Sequence, residues 1–210
     1  MLLNSIIDSG LVQDEDGVHI LKAFSLNASR KMVSIFVQDL QENKSYTRLD
    51  TIAHVEWSLE VIGHSFFLPI EDHNVILSAL DLYYNFFFDK NRPKPINSTP
   101  NLFYRNMIKH LSLLFRARRS TLDSKILLNK HVQLCKEVLR IYSSIIRRLS
   151  NELDMETWDL LIKLCLGIAD SLLSDINSFS NQLEPFAVRV LFEIWLQSYT
   201  TNREHWELLS

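Results

Sequence analysis

Apolar residues recur at every third or fourth position along most of this chain, and that spacing is typical of one face of an α-helix. In the first such run, the apolar residues are Met32, Val33, Ile35, Phe36, Val37 and Leu40. Few glycines or prolines interrupt the runs, so helices are favoured over strands. The pattern predicts helices at about residues 28–43, 50–66, 72–87, 100–115, 134–146, 154–168 and 182–199.

Capping and helix-breaking residues mark where several of these helices begin and end. Asp50 and Asp154 are predicted N-caps, because a carboxylate at that position accepts a hydrogen bond from the first turn. Thr99 followed by Pro100 is a further start signal, since proline suits the first helical position. Pro69 prevents a continuous helix and is predicted to separate two packed helices.

The N-terminal part of the chain differs from the rest. Residues 11–24 hold two short apolar segments around the turn-prone DEDG at residues 14–17, and this order predicts a small β-hairpin. Asn27 is then predicted to cap the first helix. We therefore divide the chain into residues 1–49, the hairpin and first helix, and residues 50–210, a helical-repeat segment expected to continue in a longer chain.

A repeated helix pair suggests the architecture. Pairs that begin near Asp50, Asn101 and Asp154 return at a spacing of roughly 50 residues, slightly longer than the ~40–47 residues of HEAT and armadillo repeats. The predicted fold is all-α: a HEAT/armadillo-like α-solenoid of antiparallel helix pairs, with a short β-hairpin near the N-terminus. Residues 120–130 are a predicted polar linker. Residues 203–210 look like a helix cut short, and the last helix is expected to expose apolar surface in this chain alone.

The composition limits the class of protein and its compartment. Hydrophobic residues make up 47% of the 210 residues, which excludes general disorder. A formal net charge of -3 at pH 7 gives no electrostatic case for binding nucleic acid. Cys135 and Cys165 lie in apolar helical patterns and are predicted to be buried, reduced thiols. No signal peptide or transmembrane segment is predicted, so a cytoplasmic location is expected.

One predicted helix carries Glu56, Glu60 and His64 at intervals of four residues, so a carboxylate–histidine metal site is conceivable there. The HExxH pattern is absent from the sequence, and a solvated helix face is the favoured interpretation. Gly63 is predicted to allow a close approach between helices, because a glycine within a helix costs ~1 kcal/mol relative to alanine. The helix that carries Trp57 is predicted to form part of the core of the solenoid.

No motif in the sequence supplies catalysis. GxSxG is absent, the two cysteines have no activating neighbours, and the 4 glycines are too scattered to form a phosphate-binding loop. The sequence therefore predicts a protein that is not an enzyme, with no catalytic, cofactor-binding or metal-binding residues and no cofactor.

A compact basic cluster offers an alternative function. Its members are Arg116, Arg118, Arg119 and Lys125, extended by Arg147 and Arg148. Such a cluster can bind an anionic partner or phosphoinositides, which would make the chain an independent adaptor or membrane-surface module. The favoured interpretation is a solvated charge cluster at a helix C-terminus.

A second open question concerns the helix at residues 72–87 and the residues just after it. The aromatic residues there are Tyr83, Tyr84, Phe86, Phe87 and Phe88, which are too many for one helical face. Either this helix is buried on two sides, or it presents a patch to another subunit. The sequence favours neither interpretation.

Seven blocks of sequence carry a family resemblance. They are LVQDEDG, HVEWSLEVI, LPI, MIKHLSLLF, CKEVLR, ETWDLL and VLFEIWL, at residues 11–17, 54–62, 68–70, 107–115, 135–140, 156–161 and 190–196. In their order and spacing they resemble the N-terminal region of the Ral GTPase-activating protein subunit beta family. The resemblance covers nearly the whole chain, and no block is a catalytic signature.

The resemblance implies a non-catalytic subunit that pairs with a larger alpha subunit. The tuberin-like GAP domain of that alpha subunit uses an asparagine to promote GTP hydrolysis on Ral-type small GTPases. No part of that domain is recognised here, and no functional residue of the family transfers to this chain. The expected role is therefore that of a scaffold or regulatory region in a heteromeric GTPase-activating complex.

Overall fold

All regular secondary structure in the described part of the chain is helical. The structure, a computed structural model, describes residues 25–42, 46–116, 118, 124–175, 177–199 and 205–207. The all-α class is thereby confirmed for these residues, whereas the hairpin predicted at residues 11–24 lies outside them. The chain forms two compact units, one ending at Leu114 and the other beginning at Phe115.

The described part of the first unit holds five α-helices. They are α1 (Leu26–Glu42), α2 (Ile52–Gly63), α3 (His73–Phe88), α4 (Lys94–Ser98) and α5 (Pro100–Ser112). Two 3₁₀ turns, His64–Phe67 and Ile70–Asp72, follow α2 and precede α3, with Pro69 between them. The predicted break at Pro69 is therefore confirmed.

The caps of α1 and α2 differ from the predicted ones. Thr51, not Asp50, caps α2: its hydroxyl accepts a hydrogen bond from the His54 backbone N–H at 3.1 Å. The Asp50 carboxylate instead lies 2.8 Å from Nδ1 of the His54 ring. Ser25, not Asn27, caps α1 by accepting from an N–H three residues later at 3.4 Å. Adjacent polar residues compete for the same N–H groups, so sequence alone misplaced both caps by one or two positions.

Aromatic side chains on α3 fill much of the core of the first unit. Tyr83, Phe86 and Phe87 are fully shielded from solvent, whereas Tyr84 is 41% exposed. Tyr84 packs against Phe88 with 4.8 Å between the ring centroids. The aromatic helix is therefore mainly core, and only its Tyr84 side faces solvent.

Trp57 lies on the exposed side of α2, although the helix itself contributes to the core. Its side chain is 46% exposed, and it meets Phe36 edge to face with 5.2 Å between the ring centroids. Val55, Leu59 and Ile62 form the buried face of α2. Trp57 follows Val55 by two residues, which is about 200° around a helix, so it points away from that face.

Gly63 brings α2 close to α5. A Cβ atom at this position would lie 2.7 Å from Nδ1 and 2.8 Å from Cε1 of the His110 ring, distances that side chains do not tolerate. His110 is itself buried, with 5% of its surface exposed. The predicted role of Gly63 in a close helix approach is therefore confirmed.

A buried hydrogen-bond chain crosses the same contact. The Tyr83 hydroxyl oxygen lies 2.7 Å from Nδ1 of His110 and 3.1 Å from the Leu59 carbonyl oxygen. A hydroxyl has one proton, so both contacts are satisfied when Nδ1–H of His110 donates to Tyr83 and Tyr83 donates to Leu59. Burial, and secondarily the Glu60 carboxylate, raises the pKa of Tyr83 well above its ordinary value, so the hydroxyl stays a donor.

The described part of the second unit is built from three longer helices. They are α6 (Lys125–Leu149), α7 (Met155–Ser174) and α8 (Ser178–Ser198), and α8 packs against both of the others. Asp154 caps α7 as predicted, accepting from the Thr157 N–H at 2.8 Å. α6 begins inside the predicted polar linker, because Ser124 caps it by accepting from the Leu127 N–H at 3.4 Å.

The start of α8 also lies earlier than predicted. Asn177 caps it, with its side-chain oxygen accepting from the N–H groups of Phe179 and Ser180 at 3.0 and 2.9 Å. Pro185, which was expected near the first turn, lies within the helix. A proline there removes one backbone donor. It is tolerated on the solvent side, where both Pro185 and Asn181, whose carbonyl loses that donor, are exposed.

Replacing Gly63 tests the close approach of α2 and α5. Alanine would normally stabilise a helix by ~1 kcal/mol relative to glycine. Here we expect Gly63→Ala to lower the free energy of unfolding by ~1–3 kcal/mol, because the added methyl group overlaps His110. Urea denaturation followed by circular dichroism measures this change.

A double-mutant cycle isolates the His110 contact. In a His110→Ala background the ring is gone, so Gly63→Ala should cost far less, or should stabilise the protein. An equal loss of stability in both backgrounds would contradict the proposed steric cause.

Candidate functional site

The acidic face of α2 does not form a metal site in the described part of the chain. Glu56 is exposed, while Glu60 and His64 are half-buried. The His64 ring lies against Phe67, with 5.9 Å between the centroids. Among the residues that the structure describes, no group of three or more His, Cys, Asp or Glu side chains is placed to hold a metal ion.

Both cysteines lie in the core of the second unit. Cys135 and Cys165 are free thiols and buried, as predicted. Burial raises the pKa of each thiol well above its ordinary value. Because the thiolate is the nucleophilic form, neither side chain is suited to covalent catalysis.

The basic cluster is only partly an open surface. Arg119 lies outside the described residues, and Arg116 and Arg118 are half-buried. Arg147 forms an ion pair with Glu193. Burial raises and the hydrogen bond from Arg147 lowers the pKa of Glu193, with a net downward shift, so the carboxylate stays ionised. One of the predicted anion-binding cations therefore already has an acidic partner, and the membrane-surface alternative stays a prediction.

Within the described ranges, no helix combines the length and the apolar character needed to cross a bilayer.

Exposed apolar side chains are concentrated on the solvent side of α8. Phe192 is 56% exposed, Leu196 is 72% exposed and Tyr199, the C-cap residue, is 83% exposed. With Pro185 and Arg189, these residues follow alternating intervals of four and three positions. That spacing places them along one line of a helix, as in the contact seam of a coiled coil. We call Phe192, Leu196 and Tyr199 the α8 stripe.

The other side of α8 holds the helix in place. Leu183, Ala187, Leu191 and Ile194 are buried there, where α8 packs against α6 and α7. α8 is therefore apolar on two sides, and only one of them is used within the described part of the second unit. A helix that is apolar nearly all round is typical of a segment covered on both sides.

Residues beside the stripe contact α6, and residues 205 and 206 contact α7 and α8. The Lys136 ammonium group of α6 lies 4.4 Å from the centre of the Phe186 ring, a cation–π contact. Trp195 meets Trp206 edge to face with 4.8 Å between the centroids. His205 Nε2 lies 2.7 Å from the Asp159 carboxylate of α7.

Sequence reasoning found this helix but not the stripe. The apolar pattern predicts the helix but does not divide its apolar residues between two sides, and Phe192 and Leu196 point away from the buried side. The signal was present in the sequence as an excess of apolar positions for one helical face. The expectation that the last helix exposes apolar surface is confirmed by the exposure of the stripe.

The C-terminal part of the chain matches a known family model, and most of the chain aligns with known proteins. Residues 127–210 match the family model of the RALGAPB N-terminal domain, so the match includes α7, α8 and most of α6. The chain is 28% identical to Ral GTPase-activating protein subunit beta of Rattus norvegicus over 206 residues, which cover 90% of this chain and 13% of that protein. The Homo sapiens protein of the same name is 27% identical over 206 residues.

A further relative aligns with a shorter part of the chain. A Rap-GAP domain-containing protein of Dictyostelium discoideum is 32% identical over 123 residues, which cover 56% of this chain and 8% of that protein. No solved structure matches the chain.

The chain is therefore a helical segment that is similar in sequence to part of a GTPase-activating protein subunit. The resemblance to the N-terminal region of Ral GTPase-activating protein subunit beta, predicted from the ordered sequence blocks, is confirmed. The chain spans about 13% of the length of the subunit beta relatives that it matches.

Substitutions in α8 test which side of the helix the fold needs. Leu196→Asp should change the free energy of unfolding by no more than ~0.5 kcal/mol, because the side chain is exposed. Ile194→Ala, two residues away and buried, should lower it by ~2–5 kcal/mol. Thermal and urea denaturation of both variants measure the contrast, and a large destabilisation by Leu196→Asp would show that the stripe is covered within the chain.

Proposed function

We propose that this chain is a non-catalytic scaffold or regulatory region of a heteromeric GTPase-activating complex that acts on Ral-type small GTPases. The observation that carries the proposal is the similarity to Ral GTPase-activating protein subunit beta along 90% of the chain. The word subunit in the names of these relatives denotes a multi-chain assembly. The chain would therefore act by assembly with a catalytic alpha subunit, in the cytoplasm.

The described residues support a role in binding rather than in chemistry. Both thiols are buried and protonated, and the polar groups at the centre of the first unit satisfy one another. Among the described residues, the α8 stripe offers three exposed apolar side chains along one line of a helix. The proposed mechanism is therefore stabilisation of a complex, with hydrolysis left to the partner.

The architecture proposed for this role is a HEAT/armadillo-like solenoid. In the second unit α8 packs on α7, which precedes it in sequence, and on α6, and solenoids are built from helices stacked on one another in this way. The boundary between residues 1–49 and the repeat segment 50–210 stays a prediction. A helix that is apolar on two sides, like α8, suits the stacking of such units.

We further propose that the α8 stripe binds one helix of the alpha subunit. Alternating intervals of four and three residues present apolar side chains to a facing helix, which is the geometry of helix recognition in coiled coils and grooves. The stripe lies within the region that matches the family model. Its aromatic members supply the kind of anchor that carries most of the binding free energy at interfaces.

Co-purification with the alpha subunit tests the proposal. The double variant Phe192→Ala/Leu196→Ala should weaken binding by at least about tenfold, because each truncated anchor typically costs more than ~1 kcal/mol and 1.4 kcal/mol is a factor of ten. Binding is measured by pull-down of the co-expressed subunit and by titration of the purified partners.

A matched control is available in the same unit. Ile126 and Leu173 are 71% and 56% exposed, close to the 72% and 56% of Leu196 and Phe192. Ile126→Ala/Leu173→Ala should leave the affinity unchanged. Equal affinity of the stripe variant and the wild type would reject the stripe as the interface, and failure of the wild-type chain to co-purify would reject the assembly role.

A further inference from the structure

An open cleft lies in the first unit, between the residues that precede α2 and the segment that joins α3 to α4. Its volume is about 670 Å³, within the range of sites that hold small ligands. Tyr46 and Thr47 form one wall, and Lys90, Arg92 and Lys94 lie along the other. We call it the Arg92 cleft.

Arg92 is fixed in this cleft by uncharged groups. Its Nη1 donates to the Phe87 carbonyl oxygen at 2.7 Å and to the Tyr104 hydroxyl oxygen at 2.6 Å. Its Nε donates to Oδ1 of Asn97 at 2.6 Å. Tyr104 is fully buried, so the guanidinium group is anchored to the core.

These bonds leave part of the guanidinium group for another acceptor. Arginine has five N–H donors in a planar fork, and the three bonds to protein use those on Nη1 and Nε. Among the residues that the structure describes, Nη2 of Arg92 has no partner. Among the described residues, no carboxylate forms an ion pair with the half-buried Arg92.

The other charged residues around the cleft add to the positive charge of Arg92. Lys90 and Lys94 are exposed and have no ion-pair partner in the described ranges. Asp50 is the acidic residue in the lining, and its carboxylate is engaged by the His54 ring at 2.8 Å. Asp89, close by, accepts from the Asn91 backbone N–H at 2.9 Å. The lining therefore carries three cations against one carboxylate, in a chain whose net charge is -3.

The opposite wall is held in an unusual backbone conformation. Tyr46 has φ 42°, in the left-handed region that residues other than glycine rarely occupy. Its ring packs edge to face on Phe86, with 5.1 Å between the centroids. A strained backbone conformation persists only where the surrounding structure holds it in place. Such conformations are concentrated at binding and switch sites.

We propose that the Arg92 cleft binds a phosphate group, carried either by a small phosphomonoester or by a phosphorylated side chain of a peptide. A phosphate monoester has a charge of about −1.5 to −2 at pH 7, which matches the excess of two positive charges in the lining. The two N–H donors left on Nη2 of Arg92 can donate to the phosphate, and the flexible Lys90 and Lys94 side chains can reach its other oxygens. The site is independent of the proposed assembly role and lies on a different unit from the α8 stripe.

Titration calorimetry at low salt tests the site with three probes. They are inorganic phosphate, O-phosphoserine and a nine-residue peptide with one central phosphoserine. Saturable binding of any probe at one site per chain is expected. If the peptide binds at least about tenfold more tightly than O-phosphoserine, the ligand is a phosphorylated side chain; equal affinities identify a small phosphomonoester.

Exposed lysines provide variants that should leave the fold intact. Lys90→Gln/Lys94→Gln should lower the affinity by at least about tenfold, because each lysine contributes a charge-assisted bond. Lys31→Gln, which removes a charge from an exposed position on α1 of the same unit, should not change it. Circular dichroism melting curves of all variants are expected to coincide.

Three results would overturn the proposal. One is the absence of saturable binding by every probe. Another is an equal loss of affinity in Lys31→Gln and in the double variant, which would indicate general attraction to positive charge. The third is equal binding of a peptide with glutamate in place of phosphoserine, which would show that the cleft recognises carboxylates. None of these results bears on co-purification with an alpha subunit.

Discussion

The position of the His110 ring against Gly63 is the contact on which the first unit depends. The ring occupies the space that any larger side chain at residue 63 would need. It is also the first member of a chain of two hydrogen bonds, which runs through the Tyr83 hydroxyl to the Leu59 carbonyl oxygen. Three helices are thereby fixed by one shape constraint and two hydrogen bonds. Because the polar groups satisfy one another, the burial of an imidazole and a phenol leaves no unpaired donor at this contact.

The fold was predictable where local chemistry decides it. Apolar spacing located the long helices, and Asp154, Pro69 and Gly63 acted as their residue types suggested. The errors occurred where tertiary packing overrides local preference. Pro185 lies inside α8 because its exposed position tolerates a lost donor, and Ser124 starts α6 within a stretch that composition alone predicts as linker.

The two candidate surfaces were harder to foresee than the helices. Phe192 and Leu196 are apolar like their buried neighbours, and only the packing of α8 on α6 and α7 shows which side stays exposed. Arg92 is one of many basic residues in the sequence. Its significance comes from uncharged partners that lie 5 and 12 residues away, on Phe87 and Tyr104, and no sequence motif encodes that arrangement.

The two surfaces rely on different physical forces, and ionic strength separates them. The α8 stripe would gain affinity from burial of apolar area, which depends weakly on salt. The Arg92 cleft would gain it from charges close to solvent, which are screened over about 8 Å at physiological ionic strength. Raising the salt concentration should therefore weaken phosphate binding while leaving subunit association largely intact. With both proposed sites, one chain would combine an assembly contact that depends weakly on salt with an anion site that depends strongly on it.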